Sequence, residues 1–269
     1  MSQSVMPLKT AQIAQNFANA YHSYPHTAQV QAVIADELLT ALQNTIPDLK
    51  PKTVLEIGCG TGLLTQKFCQ NYQADTLYLN DLYDKIRENP VSTNANKRFL
   101  IGDIETLDLA NVLTTSPDLV LSSSCVQWLD DLPALCRRLY DVMSDDGVFA
   151  FSSFLPDNLK EIKALTGQGL DYLSVNELDR AVSGAKFKIM ALFDKTYTLY
   201  FDSPKAVLRH IKQTGVALPN GDNGAGRFIW NKAKLSAFNQ AYHDDYAIQD
   251  GDVWRYPLTY RAVFVVGGG

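Results

Sequence analysis

Apolar residues recur along this chain in two rhythms. Over residues 10–20 and 28–43 they return at three-and-four spacing (Ile13, Phe17 and Ala20; Val30, Val33, Ile34, Leu38 and Leu42), which predicts two helices. From residue 54 the rhythm changes to short apolar runs over 54–57, 76–80, 98–104, 118–122 and 148–152, each read as a strand or a strand and its end. Helical patterns stand between them, one starting at Leu63 and one over 132–143. Strands alternating with helices predict an α/β domain with a mostly parallel sheet. A long β segment follows at 186–201. Helices at 203–215 and 231–242 then flank the glycine-rich stretch 220–226, and a closing β run extends from Arg255 to Val266. Gly267, Gly268 and Gly269 read as a frayed tail.

The first strand runs into the stretch that organises the rest. Val54-Leu55-Glu56-Ile57-Gly58-Cys59-Gly60-Thr61-Gly62 places an acidic residue near the strand end, glycines at alternate positions after it, and a helix beyond. Glycine at such a turn lets the backbone take unusual dihedrals and lets a ligand approach closely. A dinucleotide fingerprint needs glycine at the first, third and sixth positions, and counting from Gly58 the sixth is Leu63, which disfavours an NAD enzyme. The spacing instead resembles the first motif of the S-adenosylmethionine-dependent methyltransferases with a Rossmann-like sheet. Taken alone, the motif leaves open an ordinary glycine-rich turn in some other α/β protein. The resemblance implies a seven-stranded, mostly parallel sheet with helices on both faces. It also implies that Glu56, Gly58, Gly60 and Gly62 organise the loop and hold the methionine end of the cofactor.

Composition narrows the classes. The chain has 269 residues, 46% hydrophobic and 20% charged, enough for one large domain over residues 1–269. A net charge of −5 argues against nucleic-acid binding, and the lack of a long apolar run argues against a membrane span. Residues 1–8 lack the basic start and apolar core of a signal peptide. Cys59, Cys69, Cys125 and Cys136 form no C-x-x-C pair and read as reduced thiols of a cytoplasmic protein. His22 and His26 have the spacing of helix-borne metal ligands, but Pro25 interrupts it and no carboxylate or thiol is near in sequence, so no metal is expected.

Further candidates follow at the strand ends. Asp81 closes the second strand, where folds of this kind grip a ribose diol, with Leu82 beside it and Asp84 as the competitor. By the same resemblance Asp103 accepts from an adenine amino group and Ile104 covers the ring. Ser122 ends the fourth strand and joins the cofactor contacts. Gln127 and Trp128 follow it, Trp128 being read either as a wall of the reaction site or as a core anchor. Tyr24 is the contact expected from an N-terminal helical flap (1–46) over a cofactor-binding core (47–155).

The order of elements, with Val126-Gln127-Trp128 and the closing Pro257-Leu258-Thr259-Tyr260, resembles the malonyl-[acyl-carrier protein] O-methyltransferases of biotin synthesis over nearly the whole chain. Ser123-Ser124-Cys125 departs from the Asn-Leu-Ala usual there, and Leu82-Tyr83-Asp84 from a Leu-Ser-Pro turn. The resemblance implies methyl transfer from S-adenosylmethionine to a malonyl carboxylate on acyl carrier protein. A carboxylate with a pKa near 4 is already a nucleophile at neutral pH, so no catalytic base is expected. A helical lid insertion (202–245), between strands six and seven, would cover the site. Arg227, Tyr24 and Tyr260 are the candidates to dock the substrate carboxylate, with Arg255 of similar standing. Residues 202–240 carry Lys205, Arg209, Lys212, Arg227, Lys232 and Lys234 against Asp202 and Asp222, a local charge of +4. That lid reads either as a dock for an acidic carrier or as a solubilising helix surface. The rival functions are a methyltransferase of a small free acid and a non-catalytic cofactor-binding protein on the same fold.

Overall fold

A computed structural model describes residues 8–21, 24–89, 91–214 and 230–269. Its strands are β1 (Thr53–Ile57), β2 (Thr76–Asp81), β3 (Asn96–Ile101), β4 (Leu119–Ser123), β5 (Val148–Phe154), β6 (Lys188–Phe201), β7 (Ile248–Asp250) and β8 (Val253–Gly268). The first five pair in parallel, and β8 enters antiparallel between β5 and β6, giving the order β3-β2-β1-β4-β5-β8-β6. These are the seven expected strands. The eighth, β7, folds back on β8 as a hairpin through Gly251, whose φ of +62° suits the turn.

Strands β1, β2, β4 and β5 are buried along nearly their whole length because both faces of the sheet are covered there, and the two-residue side-chain period divides each of them between two cores. Val54, Leu77, Leu79, Leu119, Leu121 and Ala150 lie in one core. Their neighbours Leu55, Ile57, Tyr78, Val120, Phe149 and Phe151 lie in the other. On the first face pack α3 (Gln29–Thr45), α4 (Leu63–Asn71), α7 (Lys160–Thr166), α9 (Pro204–Gln213) and α10 (Lys232–Tyr246). On the second pack α5 (Leu109–Val112), α6 (Leu132–Val142) and α8 (Val175–Ser183). The remaining helices, α1 (Leu8–Ala20) and the single turn α2 (Tyr24–Thr27), precede α3. Helix starts carry their own caps. Asp131 accepts from Ala134 N at 2.8 Å to open α6, and Ser174 with Glu177 forms a capping box on α8.

Two details differ from the sequence reading. Helix α3 falls within the expected flap, yet Ile34, Leu38 and Leu42 are fully buried against the sheet, so it belongs to the core layers. Of the expected frayed tail, Gly267 and Gly268 are strand and Gly269 is not. Gly267 pairs with Phe149 and Ile189, Gly268 pairs with Val148 and Lys188, and both are buried. Glycine belongs there because the helices come close: a Cβ on Gly267 would stand 3.3 Å from Phe187 Cβ and from Val182 Cγ1. Gly267→Val is therefore expected to overpack this contact by about 1–3 kcal/mol. Thermal unfolding reads that as a fall in Tm of roughly 2–4 °C per kcal/mol. A Tm equal to the wild type's would mean that the strand end is not packed as described.

Candidate functional site

The strand order reverses between β1 and β4, which leaves a crevice at their carboxyl ends. A cavity with about 1050 Å³ of empty space, counting its open mouth, occupies that place. Its floor is the β1 loop, Gly58, Cys59, Gly60 and Thr61. Around it stand the ends of β2 (Asn80 to Tyr83), β3 (Gly102 to Glu105) and β4 (Ser123 to Cys125), with Trp128 and Leu129. Thr10, Ile13, Phe17 and Tyr21 of α1 and its end, with Tyr24 of α2, make the remaining wall. Two aromatic contacts join that wall to the core: Phe17 meets Trp128 edge-on at 5.6 Å between centroids, and Tyr21 meets Tyr83 at 5.6 Å.

The loop is tied from below. Gly58 N and Cys59 N both donate to Asn80 O at 2.9 Å, and Asn80 Nδ2 donates to Leu100 O and Gly102 O. Gly60 N donates to Asp81 Oδ2 at 2.9 Å, and Tyr83 N donates to Asp81 Oδ1 at 3.1 Å. Burial raises the pKa of Asp81, and these N–H donors oppose the rise. Gly58 and Gly60 are both left-handed but for different reasons. A Cβ on Gly58 would stand 2.3 Å from Cys125 Sγ, whereas nothing lies within 4 Å of that position on Gly60, which opens on the cavity.

Of the expected site residues, the structure brings Tyr24, Gly58, Gly60, Asp81, Leu82, Asp103, Ile104 and Trp128 together around this cavity. Asp84, the competitor of Asp81, is exposed and does not line it. Five other candidates stand behind the lining. Gly62 caps α4 with φ +85°. Ser122 is fully buried and donates to Ile57 O at 3.0 Å; strand alternation gives the cavity Ser123 in its place, and Ser124 joins it from the turn past the strand end. Gln127 turns its Nε2 back onto Ser124 O at 2.7 Å. Tyr260 is 1% exposed, pairs its hydroxyl with His210 Nε2 at 2.9 Å, and does not line the cavity. Glu56 lies on the α4 face of β1 and accepts from Thr65 Oγ1 at 2.7 Å. Arg255 is committed to Asp202 at 2.6 Å and to Asp250 at 3.6 Å, away from the cavity. Arg227 and His22 lie outside the described residues.

Sequence reasoning missed Asn80, whose side chain and carbonyl join three strands; the α1 wall lies within the expected N-terminal flap, of which the sequence singles out only Tyr24 as a contact. Burial, and then the Asp81 charge, pushes the Cys125 thiol up to about 12, so it stands at the cavity as a neutral group. The cysteines at 59, 69, 125 and 136 are all free thiols. No described helix is long and apolar enough to cross a membrane.

Glu56 carries a pH signature. Burial lifts its pKa from 4.5 to about 8 against the opposing Thr65 hydroxyl bond. The native state then holds more protons than the unfolded state between those values, so the stabilising contribution is complete below about 4.5 and is lost as pH rises through about 8. Denaturant midpoints of the wild type should therefore fall from pH 5 to pH 8 relative to Glu56→Gln, which keeps an acceptor for Thr65. Parallel pH curves for the two proteins would show that Glu56 is ionised throughout.

Comparison with known proteins agrees with this architecture. A family model described as a methyltransferase domain matches residues 26–192. The solved structure of YcgJ from Bacillus subtilis has a TM-score of 0.56 at 15% identity, covering 87% of this chain and 98% of that one. The plantazolicin methyltransferase BamL, solved with SAH, has a TM-score of 0.52 at 12% identity, covering 96% of each chain. At these identities the likeness is one of fold. The malonyl-[acyl-carrier protein] O-methyltransferase of Acinetobacter baylyi is 38% identical over 259 residues, 96% of each chain. The protein of the same name from Bacteroides thetaiotaomicron is 35% identical, covering 94% of this chain and 96% of its own length. With a methyltransferase domain around the cavity and that identity sustained across both full lengths, the chain belongs to the malonyl-[acyl-carrier protein] O-methyltransferase family.

Proposed function

We propose that this enzyme methylates the free carboxylate of a malonyl group on acyl carrier protein, with S-adenosylmethionine as the methyl donor, in the cytoplasm. The methyl ester would prime the chain elongation that leads to biotin. One observation carries the reading: the described lining of the cavity holds the carboxyl groups of Asp81, Asp103 and Glu105, no lysine, arginine or histidine, and the open Gly60. Such a wall suits a ligand that bears a sulfonium and an ammonium group.

The residues present fit that cofactor. Each Asp81 oxygen accepts one backbone N–H and keeps a lone pair for the hydroxyls of a ribose. Asp103, Ile104 and Leu82 line the side that would take the adenine, and Gly58 and Gly60 the side that would take the methionine. Bound there, S-adenosylmethionine supplies a methyl group on a positively charged sulfur. The chain's own task is narrower. A malonyl carboxylate arrives ionised, so no side chain has to remove a proton. Phe17, Ile13, Trp128 and Leu129 make an apolar cover that keeps water from the reacting groups.

We further infer that the N-terminal segment before α3 is the flap within residues 1–46, that 47–155 is the cofactor core, and that 202–245 is the lid. Lys205, Arg209, Lys212, Lys232 and Lys234 of the lid are exposed, and they suit an acidic carrier.

Intact-mass spectrometry tests the reaction. Malonyl-loaded carrier incubated with the enzyme and cofactor should gain one methyl, and acetyl-loaded carrier should gain none; gain on neither would refute carboxylate methylation. Asp81→Ala is expected to weaken cofactor binding by about ten- to hundredfold, the worth of hydrogen bonds to a charged group, with a smaller effect on folding. Gly60→Val should abolish that binding by filling the open position. Calorimetric titrations matching the wild type would remove either residue from the cofactor site.

A further inference from the structure

The loop after β3 brings Asp103 and Ile104 to the cavity on backbone that lies beyond the last strand residue, Ile101. Three carbonyls of this loop, those of Ile104, Glu105 and Leu107, accept no backbone N–H among the described residues. Arg138 of α6 takes all three. Its Nη1 donates to Ile104 O at 2.9 Å and to Glu105 O at 2.7 Å, and its Nη2 donates to Leu107 O. A guanidinium can do this because its N–H groups form one rigid, planar fork, which an ammonium lacks.

Two of the gripped peptide groups act on Asp103 with their other ends. The peptide that gives Ile104 O to Arg138 also carries Glu105 N, which donates to Asp103 Oδ1 at 2.9 Å. The next peptide gives Glu105 O to Arg138 and carries Thr106 N, which donates to Asp103 O at 3.0 Å. A donor on the carbonyl of a peptide strengthens the N–H at its far end. Asp103 Oδ2 takes no partner among the described residues and is not sealed in. The frame behind the loop is firm. Glu105 returns the contact, its carboxylate accepting from Asp131 N at 2.7 Å and from Asp130 N at 2.9 Å at the start of α6. Asp131 and Arg138 stand about two turns apart on that helix. Leu135, Cys136 and Leu139, which seat it in the core, are at most 1% exposed.

We propose that Arg138 is a positioning residue for the cofactor: through these two peptide groups it fixes the orientation of the Asp103 carboxylate at the cavity, and so sets the preference for a purine base that bears an amino group. Arg138 does not itself line the cavity, so it acts through Asp103 and not by contact with the ligand. A carboxylate is an acceptor only. Held in place, it favours a base that offers an N–H and opposes one that offers a carbonyl oxygen. Released from the clamp, it would turn to solvent and tell the two apart poorly. This inference rests on the reading that Asp103 takes the adenine.

The test is calorimetric binding of two probes to the full-length enzyme: S-adenosylhomocysteine, and S-inosylhomocysteine, in which a carbonyl replaces the amino group of the base. The wild type should prefer the amino-bearing probe by at least about tenfold, as expected for a hydrogen bond to a charged group. Asp103→Asn should lose that preference. Arg138→Met, which keeps an unbranched stem, should lose about tenfold for S-adenosylhomocysteine and little for S-inosylhomocysteine. Arg138→Lys keeps the charge without the fork and should fall between. A residue that only stabilised the fold would weaken both probes alike and leave their ratio unchanged. Arg137→Met, at the exposed neighbouring position, should match the wild type. Should thermal unfolding show that Arg138→Met does not fold, Arg138→Lys decides, and a ratio equal to the wild type's overturns the proposal. A wild-type ratio in both Arg138 variants, with the ratio lost in Asp103→Asn, refutes the role of Arg138 and leaves the adenine reading standing. No preference in the wild type refutes the adenine reading, and this proposal with it.

Discussion

The site depends on how the end of β2 is held. Asn80 is 2% exposed, and it accepts from the β1 loop through its carbonyl while its amide holds two carbonyls at the end of β3. Asp81, the next residue, takes Gly60 N on its carboxylate and Gly102 N on its carbonyl. Three adjacent strand ends are thereby fixed to one dipeptide, with the side chains on the two faces that strand alternation dictates. The glycines do not build the loop unaided; they permit the approach that Asn80 and Asp81 then secure. Removing the Asn80 amide would leave two part-buried carbonyls without this donor, a cost that falls on loop geometry as much as on stability.

The electrostatic character of the cavity follows from the same positions. Strand ends in a parallel sheet present side chains to a crevice with little solvent, so a carboxyl group there is pushed toward neutrality unless N–H groups or a cation oppose it. Asp81 has the N–H groups. Tyr24 and Cys125 are both raised by burial and then by neighbouring groups that include Asp81, so they remain neutral polar groups. The cavity lining thus sets acidic strand ends beside neutral polar groups.

Much of this was legible because it is local. The strand, its glycines and the acidic residue about one β-α unit later are contiguous patterns, and Gly58, Gly60, Asp81 and Asp103 meet as their positions imply. What the sequence hid was orientation and partner choice. Ser122 and Ser123 look alike in sequence; one faces the core and the other the cavity. Tyr260 looks like a donor until His210, from a helix far along the chain, claims its hydroxyl. Gly267 and Gly268 have the composition of a loose end, and only the closeness of Val182, Phe187 and Met190 explains why small residues are needed in a strand. Strand β7 is three residues long, below what an apolar rhythm reveals.

The position of β8 also sets the order in which the sheet can be completed. It is the last strand in the chain yet lies between β5 and β6, with Phe154 paired to Ala262 on one side and Lys195 paired to the same residue on the other. The five parallel strands and the crevice between β1 and β4 need no part of it. During synthesis the ligand-binding half therefore has all its backbone partners while β5 is still a bare edge, and β6 has no sheet to join until β8 arrives. The chain's longest-range pairing, the kind that forms most slowly, is thus confined to the half that carries α9 and α10.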